Sequence, residues 1–141
     1  MLAEFIATGF FVGRIPFAPG TLGTLLGIPL VLIFPTKKLL LGAIVVLFIL
    51  GWVSAHKVIQ KKKNPDPEEV VIDEIVGYLA SFLFVEPTYK TIVLAFILFR
   101  VIDVFKPFPV NLFEKFPGAL GVMADDFAGG VLTSLILFII L

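Results

Sequence analysis

Cysteine is absent from this 141-residue chain, which excludes a disulfide framework, a thiolate metal site and catalysis through a cysteine nucleophile. There is one histidine, His56. It sits among polar neighbours at the end of an apolar run, and its simplest reading is an interfacial side chain with its tip in water. Charged residues are scarce at 16%, against roughly 25% in soluble domains. Lysine and arginine balance aspartate and glutamate at 11 each; with no basic stretch interleaved with aromatics, a nucleic-acid partner is excluded. No segment alternates with period two, so a β-barrel is not expected, and no internal repeat is visible. Glu4 is the only charge before the first apolar stretch, whereas a cleavable signal carries a basic lead-in; the whole chain is expected to be mature protein.

What is present is apolar. Hydrophobic residues make up 59% of the chain, with 16 phenylalanines and a mean hydropathy of +1.09. The expectation is an all-α, integral membrane helical bundle of about five apolar helices plus a short N-terminal interfacial helix within residues 1–15. The length suits one membrane-embedded domain, 1–141. The five apolar segments run from Thr21 to Phe34, Leu39 to Val58, Val70 to Val85, Thr91 to Phe105 and Phe127 to Leu141. The second is long enough to cross a hydrocarbon core of roughly 30 Å. Segments of about 15 residues span only roughly 22 Å, so flanking residues extend them or the bilayer thins around them. KKKNPDPEE (61–69), with its two prolines and its charges, reads as a loop. Its lysines are most simply a topology signal, with recruitment of anionic lipid as the other reading.

Topology follows from the basic residues. If the loop holding Lys57 and Lys61–Lys63 is cytoplasmic, five alternating spans put Arg14, Arg100, Lys106 and Lys115 on the same side and Lys37, Lys38 and Lys90 outside. That is eight against three, in the sense of the positive-inside rule. The same arrangement brings Asp73-Glu74, Asp103 and Asp125-Asp126 to one membrane surface, although charge counting did not require it.

Ionisable residues beside lipid-facing segments are costly and by default mark a functional site. Here they are mostly acids, in VVIDEIVGY (70–78), FRVIDVFKPFP (99–109) and GALGVMADDFAGG (118–130). Gathered hard oxygen ligands suggest Mg²⁺, and Mg²⁺ suggests phosphate chemistry. Each acid also has a plainer reading. Asp103 has Arg100 three residues before it, on the same helix face, so the two form either a structural ion pair or a metal ligand with a phosphate-gripping guanidinium. Lys106-Pro107 is expected to end that helix, leaving an ammonium near Asp103. Asp73-Glu74 and Asp125-Asp126 each precede an apolar segment, where acids also favour a helix N-terminus. Adjacent residues point about 100° apart on a helix, so one member of each pair is expected to reach a metal. Gly77 and Gly130 lie four after Asp73 and Asp126 and would let helices approach closely, which favours those two acids as ligands. PFAPGTLGT (16–24) offers backbone N–H groups at a helix start, with Thr21, Thr24 and Arg14 as further donors to an anion. It is not a P-loop, because no Lys-Ser/Thr follows the glycines.

Taken together, ATGFFVGRIPFAPGTLGT (7–24), VVIDEIVGY (70–78), FRVIDVFKPFPV (99–110) and GALGVMADDFAGG (118–130) resemble the phosphatidylglycerophosphatase A family, in the family's order and over almost the whole chain. The resemblance implies a Mg²⁺-dependent membrane phosphatase of bacterial phospholipid synthesis. Its substrate would be phosphatidylglycerol phosphate, its product phosphatidylglycerol, and its seat the inner membrane with the site facing the cytoplasm. It points to Asp73, Glu74, Arg100, Asp103, Lys106, Asp125 and Asp126, and to Thr8, Gly9, Pro19, Gly20, Thr21, Gly23 and Thr24 in the first motif. Thr24 stands where serine is frequent, and Ala119 where a second glycine is common. We expect Asp73, Asp103, Asp126, Arg100 and Lys106 in catalysis, Arg14, Gly20, Thr21 and Thr24 on the phosphate, and the five acids around Mg²⁺. Metal-activated water is the expected nucleophile, with an aspartyl-phosphate as the alternative. A lipid head-group transferase would bunch its acids on one helix. A small transporter would hold its charges mid-span.

Overall fold

Local signals set most helix ends. The computed structural model describes residues 2–34, 36–64, 67 and 69–141. Its helices are α1 (Leu2–Ala7), α2 (Pro19–Ile33), α3 (Lys37–Lys62), α4 (Ile72–Ala80), α5 (Tyr89–Phe105), α6 (Val110–Phe113) and α7 (Gly118–Ile140), with a 3₁₀ turn at Val12–Arg14. There is no strand among the described residues. Pro19 begins α2 at the position where its missing N–H costs nothing. The Thr36 side chain accepts from the backbone N–H of Leu39 at 3.2 Å to cap α3, and Thr88 and Thr91 form a reciprocal capping box on α5. As expected, α5 stops at Lys106, which turns left-handed (φ 46°) ahead of Pro107.

Two helices, α3 with 26 residues and α7 with 23, are long and apolar enough to cross a membrane. The outer face of α3 carries exposed Leu41, Val45, Val46, Ile49, Trp52 and Val53. A helix apolar on its outward side as well as its inward one is built for a non-aqueous surround. The other expected spans are shorter: α2 has 15 residues, α5 has 17 and α4 only 9.

Two expectations are corrected. The segment from Val70 to Val85 is not one helix, because α4 ends at Ala80 and the chain turns through residues 81–84. Side chains of other helices satisfy the backbone released there. The Ser134 hydroxyl accepts from Phe84 N–H at 2.8 Å, and Lys37 Nζ donates to the carbonyls of Phe82 and Val85 at 2.5 Å each. Non-helical backbone deep in a bundle survives only when served in this way. The last helix begins at Gly118, not near Phe127, so Asp125 and Asp126 lie inside α7 and cap nothing. The N-terminal region matches its expectation of a short helix. Of the predicted loop 61–69, Pro65, Asp66 and Glu68 lie outside the described residues.

At the centre is α4, in contact with α2, α3, α5 and α7 and buried at every position except Glu74. Glycines make this crowding possible. A Cβ on Gly130 would stand 2.0 Å from the Gly77 carbonyl oxygen, and one on Gly77 would stand 2.6 Å from that of Asp126. The backbones of α4 and α7 therefore touch directly. Gly23 and Gly27 let α2 approach Val71 and Tyr78 in the same way.

Candidate active site

The start of α2, the start of α4, the end of α5 and the first third of α7 meet at one end of the bundle. They surround a cavity of about 750 Å³ lined by Gly20, Thr21, Asp73, Glu74, Arg100, Asp103, Lys106, Asp125 and Asp126, with Glu114 and Phe116 beside them. The convergence inferred from topology is thus present in the fold. Lys62, Pro67, Glu69 and Val70 lie at the same end, with a Lys62–Glu69 ion pair of 2.9 Å.

Each side chain is held by local structure. Asp73 and Glu74 occupy the first turn of α4. Arg100 and Asp103 share one face of α5, with guanidinium Nη1 3.0 Å from Asp103 Oδ2. The same Nη1 lies 3.5 Å from the Thr24 hydroxyl. Gly20 is bare because its missing side chain leaves room for Arg100 and Glu74. A Cβ there would meet Glu74 Oε1 at 3.0 Å and Arg100 Nη2 at 3.2 Å. From the end of α5, Lys106 Nζ donates to Asp125 Oδ2 at 2.9 Å and Asp103 Oδ1 at 3.4 Å. Burial alone would pull the ammonium down. The hydrogen bond to Asp125 and the charges of Asp126, Asp103 and Asp125 outweigh it, so Lys106 titrates above its ordinary value and stays charged.

The remaining acids are less well served. Asp73 Oδ1, Glu74 Oε2 and Asp126 Oδ2 are buried and have no hydrogen-bond partner among the described residues. An unsatisfied buried carboxylate oxygen costs several times what a hydrogen bond gains. The donor set therefore fits a divalent cation. One carboxylate oxygen from each of Asp73, Asp125 and Asp126 lies within 4.8 Å of the others, as does one from each of Glu74, Asp103 and Asp126. Three oxygens on one octahedral Mg²⁺ stand about 3–4.2 Å apart, so either group would draw together around an ion. Each member of both acidic pairs has an oxygen in such a group, with Asp73 and Glu74 in different groups and Asp125 and Asp126 together in one. Asp125 approaches from one side of α7 and Asp126 from another, and both sides border the cavity.

Two residues expected on the phosphate stand elsewhere. Arg14 does not line the cavity: it pairs with Glu4 and Glu69 and lies over the Phe11 ring. Thr24 is buried, and its hydroxyl donates to the Gly20 carbonyl at 2.8 Å. It supports Arg100 from behind. Glu114, Gly118 and Gly121 were not anticipated at the site. Gly121 lets the 114–116 turn rest on α7, where a Cβ would stand 2.3 Å from the Phe116 carbonyl. The two glycines of GALG were the only hint of this.

Carboxylates gathered with an arginine and a lysine around one cavity of an all-helical bundle are the equipment of a phosphatase. The family profile described as phosphatidylglycerophosphatase A matches residues 5–141, and the chain belongs to that family. It is 40% identical to a Bacteroides thetaiotaomicron protein provisionally named phosphatidylinositol-3-phosphatase, over 92% of this chain and 87% of that one. It is 30% identical to phosphatidylglycerophosphatase A of Escherichia coli, over 96% of this chain and 81% of the relative. For the Haemophilus influenzae protein of the same name the values are 33%, 96% and 86%. No solved structure matches the chain.

Proposed function

We propose that the protein removes the terminal phosphate of phosphatidylglycerol phosphate, giving phosphatidylglycerol and inorganic phosphate in bacterial phospholipid synthesis, with Mg²⁺ as cofactor. The observation that carries this reading is the set of buried, unpartnered oxygens on Asp73, Glu74 and Asp126 beside Arg100, in a chain of this family. Asp73, Glu74, Asp103, Asp125 and Asp126 would hold Mg²⁺, which would neutralise charge on the phosphate oxygens.

The chain's own residues do the rest. The Arg100 guanidinium, whose planar fork matches a phosphate, and the Lys106 ammonium offset the charge that builds on the phosphoryl oxygens. Gly20 and Thr21, at the start of a 15-residue helix, offer backbone N–H groups and a hydroxyl to the same group. Water attacks phosphorus, the P–O bond to the lipid glycerol breaks, and the departing oxygen leaves as an alcohol after taking a proton. A carboxylate of the cavity accepts the proton that water loses and returns it to the departing oxygen. Arg14 holds the N-terminal segment to the 69–71 stretch and stays out of the chemistry.

In this reading the chain passes an inner membrane five times with the cavity at the cytoplasmic surface. Support comes from the helix ends. Lys61, Lys62, Arg100 and Lys106 gather at the cavity end, while Lys37 and Lys90 begin α3 and α5 at the other, in keeping with the positive-inside rule. The acyl chains lie in the bilayer and the head group enters sideways. The Bacteroides relative's name favours a second reading, a phosphatidylinositol phosphate as substrate, which shares the lipid phosphomonoester. Phosphate release by detergent-purified protein from the two lipids, with and without EDTA, tests both. We expect release from phosphatidylglycerol phosphate that EDTA stops and Mg²⁺ restores. Release from phosphatidylinositol 3-phosphate alone would establish the second reading, and release indifferent to EDTA would remove the metal.

A further inference from the structure

The acids form two overlapping trios, not one ring, and from this we propose a centre for two divalent cations bridged by Asp126. The inference rests on the phosphatase reading of the same cavity and adds to it the number of ions and their assignment. Asp73, Asp125 and Asp126 would hold one ion, and Glu74, Asp103 and Asp126 the other, since each trio brings an oxygen from every member within 4.8 Å of the rest.

Three independent features agree. The first is the Asp73-Glu74 pair, which divides between the trios where Asp125-Asp126 does not. Asp73 and Glu74 point about 100° apart on α4 and fall into different trios. A single ion would leave one of them without a role, whereas two ions use both. The second is the pattern of satisfaction. Each trio has one acid tied to a cation, Asp125 to Lys106 at 2.9 Å and Asp103 to Arg100 at 3.0 Å. Each also has one acid with an unpartnered oxygen, Asp73 Oδ1 or Glu74 Oε2, and both share Asp126, whose Oδ2 is unpartnered. Asp73 is 7% exposed and Asp126 2%; both residues line the cavity, and these oxygens are shut off from solvent. The third is charge. With all five carboxylates ionised, as metal ligands must be, Arg100 and Lys106 leave three negative charges among the core groups. One divalent cation leaves that core negative and hostile to a phosphomonoester dianion. Two make it positive by one, and Glu114 sits outside the core on the exposed rim. Paired ions about 3.5–4 Å apart are a recurrent device for stabilising both the attacking and the leaving oxygen of an in-line displacement.

Mn²⁺ is the probe, added to the full chain in detergent, with bound ions counted by equilibrium binding and their coupling read by electron paramagnetic resonance. Two Mn²⁺ per chain with a spin-coupled spectrum are expected. Glu74→Gln and Asp125→Asn should each keep one uncoupled ion, because each removes a ligand from a single trio. Asp126→Asn should abolish coupling and weaken both ions by at least about tenfold. One Mn²⁺ per chain at saturation of folded wild-type protein overturns the proposal, whatever becomes of the variants. So does a coupled pair that persists in Asp126→Asn. Phosphate release followed on the same samples separates the two claims. Turnover with a single bound ion leaves the phosphatase reading standing and sinks the paired centre. Two coupled ions without turnover on any lipid phosphomonoester do the reverse.

Discussion

Gly130→Ala tests the link between helix packing and chemistry. A methyl group at this position would lie 2.0 Å from the Gly77 carbonyl oxygen and 2.9 Å from the Ala80 Cβ, where ordinary contact begins near 3.4 Å. The shortfall of about 1.4 Å is against backbone, so no rotamer relieves it, and α4 and α7 must separate by roughly an ångström. Overpacking of this kind costs about 1–3 kcal/mol of stability. The larger effect is on the site, because Asp73 lies one turn before Gly77 and Asp126 one turn before Gly130. Moving the helices apart draws those carboxylates apart, and a misplacement of about 1 Å costs on the order of 100-fold in rate, or about 2.7 kcal/mol of barrier. Gly129→Ala is the control. Its Cβ would meet nothing closer than Ile102 Cγ2 at 3.5 Å, and alanine gains about 1 kcal/mol of helix propensity over glycine. Phosphate release at saturating lipid and fixed Mg²⁺, beside thermal unfolding of both variants, makes the comparison. Turnover of Gly130→Ala within about twofold of Gly129→Ala would refute the claim that this contact positions the acids.

Further outcomes follow from other parts of the molecule. Arg100→Lys keeps the charge but loses the fork, and turnover should drop about 10–100-fold in folded protein; near-normal turnover would reduce Arg100 to a structural partner of Asp103. Arg14→Ala should leave turnover close to wild type and lower stability by about 1 kcal/mol or less, since its partners are Glu4 and Glu69; a large loss of activity would restore Arg14 to the phosphate. Hydrogen bonds from Lys61 and Arg14 hold the Glu4 carboxyl down to about 2. Its stabilisation is therefore full above its ordinary 4.5 and lost as pH falls towards 2. Glu4→Gln should narrow the difference in unfolding temperature between mildly and strongly acidic buffer, and an unchanged difference would contradict the pairing. Asn64→Cys should resist an impermeant thiol reagent in intact cells while Lys90→Cys is labelled; the opposite pattern would invert the topology.

The sequence by itself determined the class of molecule and named most residues of the candidate site. Composition fixes an apolar helical chain because the energetics of burial depend on residue type and little on arrangement. Asp73, Glu74, Asp103, Asp125 and Asp126 stood out because carboxylates are expensive in apolar segments and have no reason to be there without a task. Local chemistry also set helix ends at Pro19, Thr36, Thr88 and Lys106-Pro107, where the signal lies within a few residues of its effect. Other features depend on distant partners and were not legible. Residues 81–84 leave the helix because Ser134 and Lys37 serve their backbone, from positions about 50 residues away in the chain. The start of α7 was hidden because acids inside a helix look like acids before one until the cavity they face is known. Arg14, with the same guanidinium as Arg100, goes to Glu4 and Glu69 because the folded chain brings those acids nearer than the cavity. The division of five acids into two trios is likewise tertiary, since it depends on which faces of α4, α5 and α7 meet, and backbone contact between Gly77 and Gly130 sets that.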